Sequence, residues 1–117
     1  MSDSQNFILI VEDDEAFSEM LSWVFFEEGF LIETACNLKE ARRALETNKN
    51  IFLVLSDVEL PGEKGFQLDS LCRNLEVPLI FMSGLPFYQE EAESLGREFL
   101  SKNSDYKVFL ETVKFFL

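Results

Sequence analysis

The sequence predicts an open α/β fold, a parallel five-stranded sheet with helices on both faces. Three observations predict it. Five short apolar runs, Phe7–Val11, Phe30–Ala35, Ile51–Ser56, Leu79–Met82 and Phe99–Ser101, alternate with segments of helical period. The third run is nearly all apolar, as suits a central parallel strand covered on both faces. Four of the runs end on chemically active side chains, and the carboxyl edge of such a sheet is where open α/β proteins place their ligand sites.

The elements follow in order. After the first run, Asp14–Glu28 reads as a helix, with Phe17, Leu21, Val24 and Phe25 forming an apolar stripe and Gly29 as its stop. Asn37 with Glu40 three residues on resembles an N-cap and capping box, opening a helix that runs to about Asn48. Leu60-Pro61-Gly62 is turn chemistry after Asp57. A short helix spans about Phe66–Leu75, and Pro78 introduces the next strand. Pro86 suits the first turn of a helix ending near Leu95 and closed by Gly96. A last helix covers roughly Ser104–Leu117, with Val108, Leu110, Val113 and Phe116 as candidates for burial.

With 117 residues and no linker, repeat or low-complexity segment, residues 1–117 are expected to form one domain. Hydrophobic residues make up 47% of the chain, enough for a core. No apolar run is long enough to span a membrane, and the N-terminus lacks signal-peptide character, so a cytoplasmic location is expected. The net charge of −12 disfavours contact with phosphate backbones, so no direct nucleic-acid partner is expected. The two cysteines, Cys36 and Cys72, have no metal-ligand spacing and read as reduced thiols. The absence of histidine excludes His-based acid–base, metal and phosphohistidine chemistry on this chain.

The strand ends carry the chemistry. Glu12, Asp13 and Asp14 follow the first run, Asp57 the third, Ser83 the fourth and Lys102 the fifth. Unit charges 4 Å apart repel by roughly 4 kcal/mol at an effective dielectric of 20. Grouped carboxylates therefore need a cation or a raised pKa. Hard oxygen ligands suit Mg²⁺. Lys102 is a compact charge for a phosphoryl oxygen, and Ser83 can donate to another. A carboxylate nucleophile needs no general base, and Asp57, alone at a central strand end before a tight turn, is the best candidate.

Val11-Glu12-Asp13-Asp14, Asp57-x-x-Leu60-Pro61-Gly62-x-x-Gly65, Met82-Ser83-Gly84 and Phe99-Leu100-Ser101-Lys102, in this order along the whole chain, resemble the receiver domain of two-component response regulators. The resemblance implies the flavodoxin-like strand order 2-1-3-4-5. It implies that Asp57 is the phosphoacceptor, that Asp13, Asp57 and the backbone carbonyl of Glu59 ligate Mg²⁺, and that Glu12 acts through water. It makes Lys102 the phosphate-binding lysine, Ser83 the hydroxyl switch and Phe99 the aromatic switch, and leaves Asp14 as a helix N-terminal acid. The implied partner is a sensor histidine kinase or phosphotransfer protein, with a homodimer through the fourth helix–fifth strand–fifth helix face as a further option. The domain is then no enzyme on another substrate, but a phosphoacceptor that promotes its own phosphorylation.

Some positions depart from the family pattern. Asn103 stands where the family usually has proline, so either a trans bond or strain is expected at Lys102–Asn103. The stretch from Ser83 to Lys102 is short and Gly96-Arg97 replaces the usual Gly-Ala, so the fourth helix is expected to be short, shifted or mobile. Glu59 is expected to project near the phosphoryl site, where its charge would slow anionic donors. The alternative function is a pseudo-receiver, an interaction module that takes no phosphate. A flavodoxin-like cofactor binder lacks its phosphate-cradling loop after the first strand. An Mg²⁺-dependent phosphohydrolase lacks a second Asp two residues after Asp57.

Overall fold

The computed structural model describes residues 6–117. Strands β1 (Phe7–Val11), β2 (Leu31–Ala35), β3 (Ile51–Asp57), β6 (Leu79–Ser83) and β7 (Glu98–Ser101) form one parallel sheet in the order β2-β1-β3-β6-β7. A two-residue hairpin, β4 (Glu59–Leu60) with β5 (Glu63–Lys64), lies between β3 and the next helix. Setting it aside, the order is the expected 2-1-3-4-5. The helices are α1 (Glu15–Glu27), α2 (Leu38–Thr47), α3 (Asp69–Leu75), α4 (Gln89–Ser94) and α5 (Tyr106–Phe115). No helix of the described residues is long and apolar enough to cross a membrane.

Alternation along the strands splits the core in two. Ile8, Ile10, Leu53, Leu55, Ile80 and Met82 face α1 and α5, where Leu21, Phe25, Phe109 and Val113 cover them. Leu9, Val11, Val54, Leu79 and Phe81 face α2, α3 and α4, against Leu38, Ala41, Leu45, Leu68, Cys72 and Ala92. The α1 stripe is as expected, with Leu21 and Phe25 fully buried and Phe17 and Val24 partly so. On α5 the expectation needs one correction: Val108 is exposed and Phe109 is buried in its place. Phe109 meets Phe17 edge-on at 6.2 Å, so the larger aromatic surface sets the rotation of the helix.

Local chemistry sets the helix starts. Asp14 caps α1, accepting from the N–H groups of Ala16 and Phe17, so it is a helix N-terminal acid as expected. Asn37 caps α2 by accepting from Glu40 N–H at 2.8 Å. The reciprocal bond of a capping box is displaced by one residue, since the Glu40 carboxylate accepts from Cys36 N–H instead. The same carboxylate accepts the Cys36 thiol, which pushes that thiol's pKa up. Cys36 is exposed and Cys72 buried, both free.

The third and fourth helices are compound. A 3₁₀ turn, Gly65–Leu68, leads into α3, and another, Pro86–Tyr88, leads into the six-residue α4. The fourth helix is thus short. It is also tied down: Arg97 donates to Asp69 at 2.7 Å, and Arg73 donates both to Asp69 and to the Leu95 carbonyl. Burial pushes the Asp69 pKa up, but the two guanidinium groups outweigh it and hold the carboxyl below its ordinary value.

Candidate functional site

Strand register brings the reactive residues together. β1 pairs with β3 so that Val11 lies beside Ser56, which sets Glu12 and Asp13 next to Asp57. β6 pairs with β7 through Ser83 and Ser101, and Lys102 N–H then donates to the Ser83 carbonyl at 3.0 Å. Glu12, Asp13 and Asp57 each offer a carboxylate oxygen, and these lie within 4.8 Å of one another. Glu12 and Asp57 are only 3% and 6% exposed, whereas Asp13 is open to solvent.

Lys102 answers this negative charge. Its ammonium stands 2.6 Å from Glu12 Oε1 and 3.1 Å from Asp57 Oδ2, and 4.6 Å above the Phe17 ring. Burial pulls the Lys102 pKa down, but the two carboxylates outweigh it and hold the ammonium above its ordinary range. Glu12 behaves oppositely. Its desolvation outweighs the Lys102 and Asp14 N–H bonds, and the negative Asp57 adds to it, so its pKa rises from 4.5 to about 7. The Lys102 ammonium is the ion-pair partner of Glu12 Oε1, although the 2.6 Å contact is poorly aligned for a hydrogen bond.

Three hard carboxylate donors gathered this closely fit a divalent cation such as Mg²⁺. Asp13 and Asp57 would hold it directly and Glu12 through water. The loop after Asp57 is shaped to keep its backbone close. Pro61-Gly62 turns the β4–β5 hairpin, with Gly62 at φ +72°, the positive angle a type II turn needs. Gly65 N–H then donates to the Val58 carbonyl at 2.7 Å. A side chain at Gly65 would run into the Asp57 carbonyl oxygen and stand 2.8 Å from Ser56 Oγ.

The raised Glu12 pKa gives a pH-dependent expectation. Folded Glu12 keeps its proton to about pH 7, while an unfolded glutamate loses it near 4.5. Its contribution to stability is therefore whole below 4.5 and is lost as the pH rises to about 7. Thermal melts from pH 4 to 8 check this, and Glu12→Gln is expected to flatten the profile.

The sequence pattern of the response regulator receiver domain family matches residues 8–114. The chain belongs to this family. The transcriptional regulatory protein YbdJ of Bacillus subtilis is 29% identical over 107 residues, covering 88% of this chain and 47% of YbdJ. The chain thus spans about half the length of that relative, and 40% of Protein PetR of Rhodobacter capsulatus, to which it is 31% identical over 81% of its own length. Among solved structures, the response regulator TrrA of Thermotoga maritima, in complex with Mg²⁺–BeF, superposes with a TM-score of 0.87 at 29% identity, covering 96% of this chain and 99% of TrrA. The receiver domain of the hybrid histidine kinase CckA superposes at 0.78 with 32% identity, covering 95% and 98%.

Within this receiver, the expected site residues divide into two groups. Glu12, Asp13, Asp57 and Lys102 converge at the carboxyl edge of the sheet. Ser83 lies at that same edge, buried, its Oγ accepting from Leu85 N–H at 2.9 Å. Phe99 lies on the outer strand, partly buried against the α2–α4 side of the core, level with Phe81 on β6. All peptide bonds of the described residues are trans, Lys102–Asn103 included.

Glu59 is tied both to Asp57 and to a loop tyrosine. Its N–H donates to Asp57 Oδ1 at 3.2 Å, but its carboxylate accepts from the Tyr88 hydroxyl at 3.1 Å. The side chain is held by a specific hydrogen-bond partner. Tyr88 is buried, with its ring against Phe66 at 5.9 Å. No spacing rule in the sequence links a position after one strand to an aromatic residue in the loop after the next. A buried tyrosine in an acidic protein does carry one signal, the need of its hydroxyl for an acceptor.

Proposed function

We propose that this receiver accepts a phosphoryl group on Asp57, supplied by a sensor histidine kinase or a phosphotransfer protein. The observation that carries the reading is the Lys102 ammonium held between Glu12 and Asp57, beside the three-carboxylate cluster. One Asp57 carboxylate oxygen attacks phosphorus as the bond from phosphorus to the donor breaks, and the donor leaves with that electron pair. Lys102 already touches Asp57 and is positioned to pair with a phosphoryl oxygen. Mg²⁺, when bound by Asp13, Asp57 and the Glu59 carbonyl, supplies the remaining neutralising charge. The Ser83 hydroxyl, at the same strand edge, donates to another phosphoryl oxygen.

The domain promotes its own modification and turns over no separate substrate. Phosphorylation then shifts a population in which Ser83, Phe99 and α4 take a second arrangement. Exposed Leu85, Phe87 and Tyr106 give the face of α4, β7 and α5 apolar surface for a partner or a second copy.

Incubation with Mg²⁺ and a small acyl phosphate tests the reading. Intact mass is expected to rise by one phosphoryl group, and chelation of Mg²⁺ to abolish the gain. A protein that gains no mass under saturating donor would instead be a pseudo-receiver.

Glu59 tunes the same reaction by charge. Repulsion between partly solvated like charges near the site is worth on the order of 1 kcal/mol, or roughly fivefold in rate. Glu59→Gln is expected to speed phosphorylation by acyl phosphate by about that factor. Tyr88→Phe releases the Glu59 carboxylate and is expected to slow it. Unchanged rates in both variants would remove Glu59 from the account.

A further inference from the structure

A groove of about 780 Å³ runs along the free edge of the sheet, between α1 and β2. Its two ends differ in chemistry. Asp13, Glu15, Glu19 and Glu40 rim the end near the strand termini, and no lysine or arginine among the described residues lines the groove. The opposite end lies where β1 and β2 begin and α1 finishes. It is lined by Phe7, Trp23, Phe26 and Leu31. Trp23 and Phe26, three residues apart on one helix face, are 67% and 61% exposed. They are not needed for folding, because α1 packs onto the sheet and α5 through Phe17, Leu21 and Phe25 on its other side.

Large aromatic side chains left in water on a surface otherwise rich in charge mark an interaction face. The charge pattern selects the occupant. A second copy of this chain carries the same net charge of −12 and the same acidic rim, so like charges would meet. Nucleic acid is repelled for the same reason. We propose that the groove docks a segment of a partner protein that is basic at one end and bulky and apolar at the other. Its Lys or Arg residues meet Glu15 and Glu19, while its apolar end covers Trp23 and Phe26. The inference does not depend on phosphoryl transfer to Asp57.

Trp23 is the only tryptophan, so its emission reports on the groove directly. The probe is a synthetic helical peptide of Leu, Ala and Lys, without aromatic residues, with its leucines in one half and its lysines in the other. Added to the whole chain, it is expected to move Trp23 emission to shorter wavelength in a saturable way. Affinity is expected to fall about tenfold or more in Glu15→Lys/Glu19→Lys, and likewise in Phe26→Ser. The same charge change on α4, Glu90→Lys/Glu91→Lys, is expected to leave affinity within about twofold. These side chains are all exposed, and circular dichroism verifies the fold of each variant. Emission that does not move, or equal weakening by both double charge variants, would overturn the proposal. So would an emission shift with protein concentration alone, which would assign the face to a second copy.

Discussion

Lys102→Met is expected to destabilise the protein by about 3 kcal/mol near pH 8 in the absence of metal, and to slow phosphorylation by orders of magnitude. Lys102 is the one cation in contact with both Glu12 and Asp57 among the described residues. Methionine keeps most of the apolar stem but leaves two buried carboxylates facing each other. Removing one partner of a buried ion pair costs roughly 3–5 kcal/mol, and partial exposure of the lysine argues for the lower end. Two further results follow from the same geometry. Acidification toward pH 6 is expected to restore much of the loss, because Glu12 then takes up a proton. Mg²⁺ is expected to stabilise the variant more than the parent, because the ion replaces the missing charge. Thermal melts across pH, with and without Mg²⁺, read both. An equal loss at every pH would show that packing of the lysine stem, not its charge, is what matters.

Gly65→Ala is expected to be nearly as damaging, for a steric reason. The added methyl would overlap the Asp57 backbone carbonyl oxygen and press on the Ser56 hydroxyl, which itself donates to that carbonyl. The carbonyl is backbone and cannot swing aside alone, so the loop or the end of β3 must move. Overpacking of this kind costs about 3 kcal/mol. For a domain of this size that lowers the melting temperature by roughly 10 °C. The displaced strand end also carries the nucleophile, so the phosphorylation rate is expected to fall with stability. A melt within about 2 °C of the parent would show that the loop accommodates a side chain after all.

The fold was legible in the sequence because each level pointed the same way. Apolar runs of strand length, helical stripes such as Leu21 with Phe25, and caps at Asp14 and Asn37 all agree with the observed elements. Boundaries were less legible where local and tertiary preferences compete. Val108 fits the apolar period of α5 as well as Phe109 does, and only the position of Phe17 on α1 decides between them. The hairpin after Asp57 read as turn chemistry, and its two-residue strands are too short to leave an alternating pattern.

The site was legible in its residues and less so in its couplings. Glu12, Asp13, Asp57 and Lys102 follow strands directly, so topology alone brings them to one edge. The Tyr88–Glu59 hydrogen bond and the Arg97–Asp69 ion pair join residues 29 and 28 positions apart through loops and helix ends. Nothing in their spacing announces such pairs. The reversal at Glu12, whose burial outweighs an ammonium in contact, likewise depends on three-dimensional packing.

The central claim is that Asp57 itself takes the phosphoryl group. Intact-mass spectrometry after incubation with Mg²⁺ and a small acyl phosphate tests it most directly, with the parent chain and Asp57→Asn run side by side. A gain of one phosphoryl group is expected in the parent and none in Asp57→Asn, with both proteins giving the same circular dichroism. An equal gain in the two proteins, or none in the parent, would contradict it.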